Sequence, residues 1–271
     1  MLLRVPRLLK WPLLGLLLLA LLGLSSDALR LNPAQEEAAA YRYDLVRWEA
    51  SNFLSKWIHR LVRTLPWNSV SREERLRRIH EYFRLQADVS NLKDQLARAV
   101  ARSSDATGLE VMSLEAQLEE IRSRRARLRN DVEETIEAVI SSVITEQSLS
   151  LWGELIFPPV DIRLTEPPLL LVTSPRDRIR RAHEVLLDPD MKVADRDRVE
   201  DKLLEHANLA ALVTGIGGVA TYPASVRNDR PLLATLQTSA HEWLHHYFFF
   251  RPLGQNLRKS SEMLILNETM A

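Results

Sequence analysis

The residues best placed to do chemistry in this chain are His241, Glu242 and His245, within the run His241-Glu242-Trp243-Leu244-His245. Side chains at i and i+4 of an α-helix lie one above the other on one face. Both imidazoles can therefore reach one metal ion. Glu242 stands one step round the helix, beside that face rather than on it. Two neutral imidazoles on Zn²⁺, with a carboxylate to take a proton from water, are what a zinc hydrolase needs. The competing reading is an amphipathic core helix with its histidines at the polar edge.

A catalytic zinc takes three protein ligands and keeps one position open. After Pro252-Leu253-Gly254 the chain can turn and return as a second helix over roughly 257–271, where Glu262 and Glu268 are the carboxylates. This helix ends in Leu266-Asn267-Glu268-Thr269-Met270-Ala271. An H-E-x-x-H helix followed by an L-N-E-x-x-A helix resembles the gluzincin metallopeptidases. The second segment is particularly similar to the M1 aminopeptidase pattern. The resemblance covers at most about the last fifty residues, through two short motifs. It implies Glu268 as the third zinc ligand, and Glu262 is then a solvated residue. The 22 residues between His245 and Glu268 exceed the M1 spacing, which implies a distinct gluzincin family. Glu242 becomes the general base, and Asn267 is placed to orient a ligand from behind. His246 points about 100° away from His245 and is not a ligand. Gluzincins commonly supply a Tyr or His to stabilise the tetrahedral oxyanion, and Tyr222 is the substitute this chain offers.

These residues need a scaffold. Asp229 can cap the H-E-x-x-H helix, Pro231 suits its first turn and Pro252 stops it. Gly215-Ile216-Gly217-Gly218 lacks the Lys-Ser/Thr and the directly following helix of a phosphate loop. It reads as a turn into an edge strand that tolerates Pro223. The order of edge strand, H-E-x-x-H helix and Glu helix is similar to zincin-like folds, in which the edge strand holds the substrate backbone by β-addition. Upstream, Val160 to Thr165 and Leu169 to Thr173 read as strands. Ser174-Pro175-Arg176-Asp177 is expected to cap a helix running to about Leu187, and another helix covers roughly 193–210. A zincin-like catalytic domain with a small sheet is placed over 150–271.

The region 29–149 reads as helical, giving an α+β chain overall. Asn32-Pro33-Ala34-Gln35 starts a helix expected to reach Thr64, with Pro66 beyond it. Leu45, Trp48, Phe53, Trp57, Ile58, Leu61 and Val62 form its apolar face. Over 71–146, two heptad-like seams flank the break Ser103-Ser104-Asp105-Ala106-Thr107-Gly108. Leu85, Val89, Leu92, Leu96 and Ala99 carry the first; Val111, Leu114, Leu118, Ile121, Leu128 and Val132 carry the second. An antiparallel helical hairpin fits this pattern, with the dense Arg and Glu on solvated faces. A coiled coil between two chains, making a homodimer, fits it equally.

Residues 1–28 have a basic start (Arg4, Arg7, Lys10), a Leu-rich run from Trp11 to Leu24, and small residues at Ser26 and Ala28. A bilayer span needs about 20 residues. The segment fits a secretory signal, cleaved or retained as a membrane anchor. Thirty-six basic residues balance 36 acidic ones, so nothing points to nucleic acid. Cysteine is absent, which excludes thiolate metal sites and a cysteine nucleophile. The expectation is an exported zinc metallopeptidase acting on a peptide or protein substrate, either secreted or anchored to the membrane and facing outward. The alternative is a catalytically inactive helical-hairpin protein of the cell envelope with a structural zinc site.

Overall fold

The computed structural model describes residues 31–52, 56, 70–102, 108–150, 155–257 and 259–271. The expected targeting segment over 1–28 lies outside them. So do Phe53, Trp57, Ile58, Leu61, Val62, Pro66 and the break at 103–107. Among the described residues, no helix is long and apolar enough to cross a membrane.

Among the described residues the fold is α+β, with long helices and two three-stranded sheets. The α-helices described from end to end are α1 (Pro33–Glu37), α2 (Arg72–Arg102), α3 (Gly108–Glu146), α4 (Val193–Ala207), α5 (Leu232–Phe249), α6 (Pro252–Gln255) and α7 (Ser261–Met270). The strands are β1 (Ile162–Thr165), β2 (Leu169–Pro175), β3 (His183–Leu187), β4 (Leu209–Gly215), β5 (Gly218–Val219) and β6 (Ala224–Arg227).

Helices α2 and α3 form the antiparallel hairpin within one chain. Val89 and Leu92 pack on Leu118, and Arg124 pairs with Glu81 at 2.6 Å. The other end of the hairpin enters the main core. Tyr82 of α2 and Ile136 and Ile140 of α3 pack with Ile162, Val226 and Trp243. The helical region and the region of the H-E-x-x-H helix thus share one core.

Not all of the α3 charges are solvated. Glu133 and Glu137, four residues apart on one face, are buried. Glu137 Oε1 accepts from the Ile162 N–H at 2.9 Å, and Glu133 Oε1 accepts from the Leu164 N–H at 2.7 Å. In the sheet ordered β1-β6-β5, β1 is an outer strand. The two glutamates satisfy its outward N–H groups, as a further strand would otherwise do. Buried Lys56 and Arg163 balance the charge: Lys56 Nζ lies 2.8 Å from Asp161 and also contacts Glu137, while Arg163 Nη1 donates to Glu133 at 3.1 Å.

Three local expectations are corrected. The first helix does not run to Thr64. Its start is as expected, with Asn32 and Gln35 closing a capping box at 2.9 and 3.1 Å. Ala34 and Ala38 then bury in the second core, and Arg42 bridges to Leu187. Pairing with β3 overrides helix continuation; a fresh helix begins at 45, capped by Asp44 Oδ1 accepting from the Arg47 N–H at 2.9 Å. Second, no helix occupies 176–187. The chain turns and returns as β3, antiparallel to β2, with Leu187 opposite Leu169. Alternation buries Val185 and Leu187 beside Leu171, Val199 and Leu203. The charged run Arg176–Arg181 is the hairpin turn, held where Ser174 Oγ accepts from the Arg180 N–H at 3.1 Å. Third, the strand after Pro223 is not an edge. It is β6, the middle strand, parallel to β1 and antiparallel to β5. Pro223 is tolerated because it precedes the strand, whose first donor is the Ala224 N–H to Asp161 O at 2.8 Å. The edge strand beside the H-E-x-x-H helix is β5.

Candidate metal centre

Helix α5 is anchored by its apolar side. Trp243 is buried in the main core, and its Nε1 donates to Pro158 O at 2.8 Å. Leu236, Ala240 and Leu244 pack around it. The opposite side carries His241 and His245. Pro231 occupies the cap position rather than the first turn, and no side chain caps the helix. Asp229 does not serve as cap because Arg227 takes its carboxylate, with Nε donating to Oδ1 at 2.8 Å.

The chain reverses just beyond α5. A Cβ on Gly254 would stand 2.2 Å from Phe248 O, so only glycine allows α6 to fold so tightly on the end of α5. Helix α7 starts later than expected, at Ser261, where Ser260 Oγ accepts from the Met263 N–H at 3.3 Å. It brings Asn267 and Glu268 to the histidine face of α5.

The three expected ligands meet. The Nε2 atoms of His241 and His245 are 3.0 Å apart, and Glu268 Oε2 lies 3.6 Å from each. Ligand atoms about 2.0–2.1 Å from a tetrahedral Zn²⁺ stand roughly 3.3 Å from one another. The observed triangle fits such a face. His245 Nδ1 lies 2.8 Å from Asn267 Oδ1, and Asn267 is 1 % exposed. With the amide oxygen accepting, Nδ1 carries the proton and Nε2 turns its lone pair toward His241 and Glu268. Glu262 is not in this cluster; among the described residues the group that could hold a metal is His241, His245 and Glu268.

Glu242 sits beside the triangle and is 6 % exposed. Burial pushes its carboxyl up to about 8, and the nearby Glu268 carboxylate adds to the rise. A divalent cation at the three ligands would act against both causes. The carboxylate lies against Gly218 of β5, where an added Cβ would meet Glu242 Oε1 at 2.4 Å. Gly218 is a site residue that sequence reasoning did not single out. The signal was the glycine cluster itself, which marks close backbone approach.

Tyr222 lines the same cavity as these residues, a space of about 1560 Å³. Its hydroxyl donates to Pro159 O at 3.4 Å, and its ring stands edge-on to His246 at 5.7 Å. His246 is outside the ligand triangle, in keeping with its position on the helix. Neither of its ring nitrogens makes a well-formed hydrogen bond, although the Ala220 and Thr221 backbone stands near. Burial is the main cause that lowers its proton affinity.

No protein-family model, curated protein or solved structure matches the chain.

Proposed function

We propose that the chain is an exported zinc metallopeptidase of gluzincin type, with a zincin-like arrangement of β5, α5 and α7. The observation that carries this reading is the triangle of His241, His245 and Glu268, with the buried carboxylate of Glu242 beside it. Zn²⁺ held by these three would supply a Lewis acid that polarises the scissile carbonyl and acidifies water. Glu242 accepts the proton from water and delivers it to the leaving amine. Its buried setting favours the protonated form, which suits the second of these tasks. Asn267 holds the His245 ring in its ligating orientation. Tyr222 is the wall residue assigned to the developing negative charge on the carbonyl oxygen, its hydroxyl giving up the 3.4 Å bond to Pro159 O to donate there.

Strand β5 is assigned to hold the substrate backbone. The outer edge of β1 is occupied by Glu133 and Glu137, so β5 is the edge of this sheet left for an added strand. An extended peptide pairing there runs beside Gly218, against which the Glu242 carboxylate lies. Export rests on the segment 1–28.

Elemental analysis of the purified full chain, wild type beside His245→Ala, tests the metal part of this reading. The wild type is expected to carry zinc in stoichiometric amount and the variant to lose it. A wild-type chain that binds no zinc contradicts the proposal.

A further inference from the structure

Three phenylalanines gather at one end of the cavity that holds the metal ligands. Phe157 comes from the loop before β1; Phe249 and Phe250 come from the end of α5. The Phe157 and Phe250 rings are 4.9 Å apart, and those of Phe249 and Phe250 are 5.1 Å apart. They are 48 %, 68 % and 50 % exposed, respectively. Large aromatic rings clustered in the open mark a surface that binds something.

The ledge is held firmly. The loop bearing Phe157 is tied to α5 by Trp243 Nε1 at Pro158 O. The rings line the same concave space as His241, Glu242 and Glu268. Arg251, the basic residue next to Phe250, is folded back over the Tyr247 ring at 4.8 Å and is not part of the cavity wall. The lining also carries a charged pair, Arg181 and Glu184 at 2.7 Å. An apolar group entering beside the ligands finds an exposed aromatic cluster in Phe157, Phe249 and Phe250.

We propose that Phe157, Phe249 and Phe250 form a specificity subsite, and that the cavity takes an unfolded polypeptide segment carrying a large apolar side chain next to the bond to be cut. This rests on the peptidase reading for the words "to be cut", but not for the binding preference. Packing an aromatic side chain on these rings removes apolar surface from water and adds ring–ring contact. Serine at the same position gains neither.

The test uses the full chain, zinc-loaded, in the Glu242→Gln background so that bound peptide persists. Two fluorescein-labelled peptides, identical but for a central Phe or Ser, are titrated by anisotropy. The Phe peptide is expected to bind about tenfold or more tightly than the Ser peptide. Phe250→Ala and Phe157→Ala are each expected to shrink that ratio toward unity while leaving Ser-peptide binding, zinc content and circular dichroism unchanged. Phe250→Leu is expected to retain part of the preference. No difference between the two peptides, or a difference that survives both alanine variants, overturns the proposal. A lipid role would show instead as weaker binding of the alanine variants to vesicles of phosphatidylcholine and phosphatidylglycerol with the peptide ratio unaltered; that outcome also overturns it. The peptidase reading fails separately: wild type that binds the Phe peptide selectively but cuts nothing contradicts the chemistry and leaves the subsite standing.

Discussion

The carboxylate of Glu242 occupies the space into which a side chain on residue 218 would have to project. An added Cβ on Gly218 would lie 2.4 Å from Glu242 Oε1 and 2.8 Å from Ser225 O. Strand β5 and the Glu242 carboxylate are thus in close contact, and the glycine is what allows it. Gly218→Ala is expected to displace the carboxylate while leaving the ligands in place. Turnover should fall by about 10²-fold, as for misplacement of a catalytic group by an ångström. Zinc content should not change. Undiminished peptide hydrolysis in this variant would contradict the positioning role.

Glu268, rather than Glu262, is expected to complete the metal site. Glu262 lies in the first turn of α7, where Ser260 and its own backbone hold its carboxyl below the usual range. Glu268→Gln should weaken zinc binding strongly and Glu262→Gln hardly at all. Competition with a chromophoric chelator measures both, and the reverse order would reassign the ligand.

Asn267 offers a test of the support behind the ligands. Asn267→Ala removes the acceptor for His245 Nδ1 and frees the ring to turn. Zinc affinity should drop by roughly 10–100-fold. Asn267→Asp keeps an acceptor at the same place and should lose much less. Equal loss in both would mean that packing, not ring orientation, is what Asn267 supplies.

The scaffold makes its own prediction. Lys56 Nζ contacts Asp161 and Glu137, with Glu133 at 3.9 Å, all of them buried. Lys56→Met leaves these carboxylates with too little positive charge. Removing one partner from a buried ionic network typically costs about 3–5 kcal/mol. Urea denaturation should show a lowered midpoint with an unchanged slope. A variant as stable as wild type would mean that the network contributes little to holding α3 on β1.

How far the sequence was legible follows from the range of the interactions involved. His241 and His245 could be placed because a helix fixes i and i+4 on one face whatever surrounds it. The hairpin seams were legible for the same reason: Val89, Leu92 and Leu118 repeat with the helical period and pack as the period requires. Asn267 was legible through its place beside Glu268. Gly218 was not, because its role depends on a side chain that is distant in sequence. Glu133 and Glu137 read as solvated because the groups that balance their burial, Lys56, Arg163 and the backbone of β1, are distant in sequence. The run Arg176–Leu187 read as helix because its local composition favours one; the unpaired side of β2 and the second core decided for a strand. Local periodicity carried the candidate ligands and the hairpin, and tertiary pairing decided the rest.

The most direct measurement compares wild type and Glu242→Gln for zinc content and for cleavage of an unfolded protein substrate. Gln has nearly the shape of Glu and can still hydrogen-bond water, but it cannot take up a proton. Both proteins are expected to carry the same zinc and the same fold, while hydrolysis falls by about 10²–10⁴-fold in the variant. Equal cleavage by the two proteins would contradict Glu242 as general base, and zinc-loaded wild type that cleaves nothing would mark the triangle as a structural site.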